Sequence, residues 1–302
     1  MSMAWRACGA PGPEPEFREG GSALAEPHSG SIAEHLHYWT YVVEKGHPFM
    51  QIHLDTMILT LVIASAMVIF SLWLKARLVE GTPSGTQNFV ESIIDFINET
   101  VRDNFPVHNP LIAPLALTIF VFVFLCNSMD ILPAYTMDTI AHAFGIASFR
   151  QVPTNDLNLP VAMAVSVFLL ALYYEFKLKP VHFIKELLFE PFASLLLNAK
   201  NPIVKVLGVV LIPINLILKI VEEVAKPLSL SFRLFGNMFA GEVIFLLIAF
   251  LLLSGGVVGK FFGFFVGVGW SIFHLFIGLL QAFIFMILTV VYLSIAHQPV
   301  EH

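Results

Sequence analysis

Five apolar runs govern what this chain can fold into: residues 55–75, 111–132, 157–176, 203–253 and 261–296, approximately. A helix needs about 20 apolar residues to cross some 30 Å of hydrocarbon. Inside lipid, every backbone N–H and C=O must also be bonded within the protein, which favours helices. All five runs meet that length, and the last two exceed it. The chain therefore reads as an all-α polytopic membrane protein with about five crossings. Only 13% of its residues are charged and its mean hydropathy is +0.80, whereas a soluble domain carries about 25% charged residues.

The segments between the runs complete the outline. Residues 1–30 are rich in Gly, Pro and Glu and have no apolar signal-peptide core, so they read as a disordered extension. Residues 31–54 read as loop-like. Their four histidines (His35, His37, His47, His53) are too irregularly spaced for a metal site, and Trp39 and Tyr41 suit a membrane interface. The membrane domain occupies residues 55–298. Within it, Phe89, Ile93, Ile94, Ile97 and Val101 recur at helical spacing over 87–104, which predicts an amphipathic helix lying at the interface. Residues 203–253 allow two short spans or one long, steeply tilted helix, with Pro213 and Pro227 as kinks. Segments 75–110 and 177–205 carry eight lysines and arginines, against two in 133–156 and 251–260. The positive-inside rule then puts the N-terminus outside and the C-terminus inside. Cys8 and Cys126 give neither a disulfide framework nor metal spacing. No basic arm points to nucleic acid, and no phosphate loop or nucleophile motif points to catalysis or a cofactor.

One charge stands out. Arg233 lies in a stretch, Lys226 to Glu242, that is otherwise apolar enough for lipid. A charge at mid-bilayer costs about 2.5–3.5 kcal/mol or more, so such residues face protein or water. Arginine keeps its proton, with a pKa above about 12, so its role here is that of a fixed positive charge. Steps of three and four place Lys226, Ser229, Arg233, Gly236, Asn237 and Ala240 on one face, small apart from its basic side chains, that suits close approach of another helix. Glu242 lies about 180° round the helix from Arg233. The bland alternative is an arginine snorkelling to the membrane surface.

The remaining polar residues of the C-terminal half are Ser229, Asn237, Glu242, His274 and Gln281, with His274 and Gln281 seven apart on one face. A glutamate, a histidine and neutral amides on facing helices are materials for a proton path. Each alone also fits an interhelical hydrogen bond. Together with a buried arginine they point to ion or proton translocation. A solute transporter would be expected to show related halves, and none is seen. A non-conducting scaffold would tolerate neutral substitution of these residues.

Three stretches now carry a resemblance: residues 111–120 (LIAPLALTIF), 227–242 (PLSLSFRLFGNMFAGE) and 281–294 (QAFIFMILTVVYLS). Together they resemble subunit a of bacterial F-type ATP synthases, in the right order over roughly residues 50–298. The resemblance implies a non-catalytic stator subunit of the Fo sector in the bacterial inner membrane, with residues 31–54 periplasmic and the C-terminus cytoplasmic. Its last two helices would form a long tilted hairpin along a ring of c subunits, and the b-subunit peripheral stalk and other synthase subunits would be partners. Arg233 would face the ring carboxylates and separate two offset half-channels. Asn237, Glu242, His274 and Gln281 would line the periplasmic half-channel, with Asn127 and Asp130 near its entrance, and Ser229 would stand by the cytoplasmic exit. Some relatives carry an acidic residue where this chain has Lys219. The acidic function there would then fall to Glu222 and Glu223.

Overall fold

The computed structural model describes residues 40–42, 51–78, 85–105, 107, 109–131, 151–189, 208 and 211–298. The extension expected over 1–30 lies outside them, as do His35, His37 and His47. The chain forms two compact units, residues 1–61 with 132–151, and residues 62–131 with 152–302.

In the first unit, β1 (Thr40–Val42) pairs antiparallel with β2 (Gln51–His53), with Tyr41 opposite Ile52. These are the only strands among the described residues, and they correct the loop-like reading of that segment. Strands of three residues are too short to display a period-2 pattern. The helix α1 (Leu54–Ala76) follows β2 directly and spans the expected first crossing. Asp55 in its first turn and Lys75 in its last complement the helix dipole.

The second unit is a helical bundle. It contains α2 (Thr86–Asn104), α3 (Ile112–Ser128), α4 (Asn158–Leu178), α5 (Pro180–Phe189), α6 (Ile212–Ser254) and α7 (Gly256–His297). Short 3₁₀ turns, Met129–Ile131 and Pro153–Asn155, follow α3 and precede α4. The amphipathic prediction for 87–104 is met by α2, which buries Ile97 and Val101 and exposes Phe89 and Phe96. The short helix α5 falls within 177–205, a segment read from its lysines only as a connection between spans.

At the centre stands α7, packed against α3, α6, α4 and α2. Ala282, Phe285, Met286, Val290 and Leu293 are fully buried, a run at steps of three and four that turns one face of α7 into the bundle core. Its first half instead exposes Phe261, Phe262, Phe264 and Phe265, as an apolar surface in lipid would. Polar ties hold the C-terminal end. Asn109 Oδ1 accepts from the Leu111 N–H at 3.1 Å, and Asn109 Nδ2 lies 3.1 Å from His297 Nε2. The His297 ring packs on Phe105 and Tyr174, and Lys179 Nζ donates to the Ile295 carbonyl at 3.2 Å.

The choice over 203–253 falls to one long helix. With 43 residues, α6 is about 65 Å long at 1.5 Å per residue, twice a hydrocarbon core, so it crosses at a tilt. Pro227 lies inside it and is buried. Pro213, expected as a kink, stands instead in the first turn, where a missing N–H costs no helical bond. The α6–α7 reversal uses Gly256 at φ +58°, left-handed backbone that favours glycine.

Lipid solvates a released phenyl ring about as well as the core does, so truncation here costs mainly the cavity. Phe285→Ala is expected to lower thermal stability of the detergent-solubilised protein by roughly 3 kcal/mol. Phe264→Ala, on the exposed half of α7, should leave the unfolding midpoint within error of the parent.

Candidate functional site

The long helix α6 presents Ser229, Arg233, Gly236, Asn237 and Ala240 as exposed residues, the face expected from helical phase. Arg233 donates to Ser229 Oγ at 3.5 Å, one turn away. Among the described residues no carboxylate forms an ion pair with its guanidinium. The arrangement is a fixed cation on a surface of small side chains, directed away from the bundle. Four residues further along, Asn237 Nδ2 donates to Gln281 Oε1 on α7 at 3.0 Å. That interhelical bond ties the exposed face of α6 to a glutamine only 1% exposed.

His274 sits two turns back along α7, opposite Gly241, and is 3% exposed. Its imidazole packs directly on Gly241 of α6, where a Cβ would collide with ring atom Cε1 and the two nitrogens beside it. Phe245 approaches it edge-on at 5.6 Å, and Trp270 stacks at 6.1 Å. On its third side, Nε2 is 2.8 Å from Asp130 Oδ2, in the 3₁₀ turn after α3. This is a close contact, out of line for a hydrogen bond from the ring N–H. Glu242 follows Gly241 directly and is partly buried. A carboxylate and an imidazole thus meet where α3 and α7 adjoin, with aromatic rings on two sides of the histidine and Glu242 on the neighbouring stretch of α6. Groups of these types can hold and pass protons.

Asn127, also named from sequence, is buried one turn before Asp130. Its Nδ2 donates to the Gly278 carbonyl at 3.2 Å, and its Oδ1 accepts from Thr154 Oγ1 at 2.8 Å. Sequence reading missed Thr154 and the role of Gly241. Gly241 stands in the stretch already singled out, and its phase toward α7 is the signal that could have found it. Thr154 lies in a turn with no periodicity to read.

Toward the start of α6 lies a separate charged group. Lys219 Nζ is 3.5 Å from Glu222 Oε2 and 3.6 Å from Glu223 Oε1, while Lys226 Nζ donates to Glu223 Oε1 at 2.6 Å. The Glu222 side chain is 59% exposed and that of Glu223 14%, so the two adjacent glutamates occupy different environments. These residues line a cavity of about 180 Å³ whose other walls include Glu175 of α4 and Tyr292 of α7. Sequence reading did not single out Glu175.

Residues 56–294 match the family described as ATP synthase A chain. The chain belongs to that family. It is 41% identical over 271 residues to "ATP synthase subunit a 1" of Methylococcus capsulatus, covering 89% of this chain and 95% of the relative. It is 42% identical over 277 residues to "ATP synthase subunit a" of Alkalilimnicola ehrlichii, covering 91% and 95%. The protein of that name from Pasteurella multocida is 38% identical over 275 residues, covering 91% and 97%. Every residue of the polar group from Asn127 to Gln281 falls inside the part matched to the A chain family, which with four long apolar helices and the shorter α3 makes this a multi-pass membrane protein.

The packing of His274 on Gly241 gives a direct test. Gly241→Ala should cost about 1–3 kcal/mol of stability, the usual penalty of overpacking, visible as a lower thermal midpoint in detergent. Gly236→Ala, whose Cβ would enter open space, should match the parent.

Proposed function

We propose that this chain is the proton-conducting stator subunit of the Fo sector, working against a ring of c subunits. The observation that carries this reading is Arg233, a permanent cation on an exposed, small-residue face of an apolar helix with no carboxylate partner among the described residues. A surface of that kind calls for a carboxylate on another chain. In the proposed cycle a proton enters from the periplasm past Asp130, Asn127, His274 and Glu242, with Asn237 and Gln281 along the seam. It neutralises a ring carboxylate. The neutral group then rotates through lipid, avoiding the cost of a charge there. After almost a full turn it reaches the cytoplasmic exit near Ser229, ionises beside Arg233, and releases its proton toward Glu222 and Glu223.

Each charge crossing the membrane supplies about 2.3 kcal/mol per 100 mV. Several are therefore needed per ATP, as a ring of many carboxylates would deliver. The chain itself makes and breaks no covalent bond in this scheme. It resides in the bacterial inner membrane with its N-terminus periplasmic and its C-terminus cytoplasmic, anchored to the b-subunit stalk and other synthase subunits. The basic residues of segments 75–110 and 177–205 support that orientation.

Two substitutions separate a barrier from a path. In inverted vesicles carrying the assembled complex, Arg233→Ala should abolish ATP-driven proton pumping and leave a passive proton leak through the membrane sector. Near-parent pumping in that variant would sink the stator reading. His274→Ala should reduce pumping without opening a leak, because it interrupts one half-channel and leaves the barrier in place.

A further inference from the structure

We propose that Thr154 is a positioning residue for the Asp130–His274 pair, acting through Asn127; the inference rests on the proton-path reading above. Its basis is a hydrogen-bond chain whose directions are forced. The Gly278 carbonyl can only accept, so the group that Asn127 turns toward it must be its NH₂, 3.2 Å away. The Asn127 oxygen then faces the other way and can only accept. The Thr154 hydroxyl, 2.8 Å from it, must therefore donate. Thr154 is fully buried and Asn127 nearly so, so each polar group there needs a partner within the protein. The hydroxyl thus locks the amide in the one orientation that bonds α3 to α7.

That bond sets the geometry of the pair beyond it. From Asn127 to Asp130 the chain advances three residues along α3 and its 3₁₀ turn, while the partner on α7 moves back four, from Gly278 to His274. Asn127–Gly278 and Asp130–His274 are therefore successive rungs of one antiparallel contact, about one helical turn apart. The fit is tight at the first rung, where a Cβ on residue 278 would lie 3.1 Å from Asn127 Cβ. With the first rung fixed, the Asp130 carboxylate is delivered to within 2.8 Å of His274 Nε2. Without the Thr154 hydroxyl, the amide keeps one bond and is free to rotate, and the second rung loses its reference. Misplacement of a reacting pair by about 1 Å is enough for a large loss of rate. Thr154 itself carries no proton in this scheme, since its single hydrogen is committed to Asn127.

The test compares two substitutions that change opposite properties. Thr154→Val keeps the side-chain volume and removes the hydroxyl, while Thr154→Ser keeps the hydroxyl and removes a methyl. ATP-driven pumping is measured in inverted vesicles, normalised to assembled complex, with His274→Ala as reference. The expected result is a fall of roughly ten-fold in Thr154→Val and at least half of parent activity in Thr154→Ser. Parent-level pumping in Thr154→Val, or a Thr154→Ser variant worse than Thr154→Val, overturns the inference, the latter because it assigns the effect to packing. If Thr154→Val does not assemble, Gly278→Ala decides, since its Cβ pushes Asn127 off the first rung while Thr154 is untouched. Reduced pumping there supports positioning, and parent-level pumping overturns it. Should His274→Ala pump as the parent does, the half-channel reading itself falls, and the positioning role with it. A loss in His274→Ala beside normal pumping in Thr154→Val removes the positioning role alone.

Discussion

A guanidinium that cannot give up its proton, fixed to a helix of this hydropathy, is the constraint on which the rest depends. Lipid cannot solvate it, and burying it inside the bundle would require a carboxylate partner there. The chain takes a third course. Arg233 is placed on the outer face of α6 among Ser229, Gly236, Asn237 and Ala240, where another helix can approach closely. The bundle behind it serves to hold that face still. Its tightly packed part is the second half of α7, from Gln281 to Ala296.

The same economy of volume governs the neighbouring polar residues. A histidine fits between α6 and α7 because residue 241 has no side chain. Phe245 and Trp270 then close two sides of the ring, and Asp130 arrives from α3. Ionisable groups in a dry site interact more strongly than in water, so their relative positions matter more than their number. The turn after α3 contributes the acid of this corner, α7 the base, and α6 the glycine that makes room for it.

Much of this was legible in the residues. Apolar run length located the four long apolar helices among the described residues, α1, α4, α6 and α7, and the shorter α3. Helical phase placed Arg233, Ser229 and Asn237 on one face of α6 and His274 and Gln281 on one face of α7; that the two faces meet at Asn237 is a finding of the structure. The rest escaped for definite reasons. Pro213 reads as a kink only if the helix precedes it, and here it begins there. The β1–β2 pairing rests on three residues a side, below any detectable alternation. Thr154 acts through a contact 27 positions distant in sequence, at a turn whose path nothing local specifies. Glu223 and Glu222 look equivalent as neighbours, yet 100° of helical rotation half-encloses Glu223 between Lys219 and Lys226 and leaves Glu222 mostly exposed, touching Lys219 alone.

The length of α6 has a kinetic consequence for anything that slides along it. A helix of 43 residues in a layer about 30 Å thick runs obliquely, so an upright neighbour crosses it at a wide angle. Crossed cylinders touch over a turn or two, not along their length. A passing helix therefore meets the arginine as a brief point of contact and is released to either side. In the proposed motor this favours low friction, because the strong electrostatic contact is confined to a small part of the path while the C-terminal part of α6, with Leu246, Leu247, Phe250 and Leu253 exposed, presents weak, apolar surface. Obliquity of this kind would let the same helix act as barrier at one point and as bearing elsewhere.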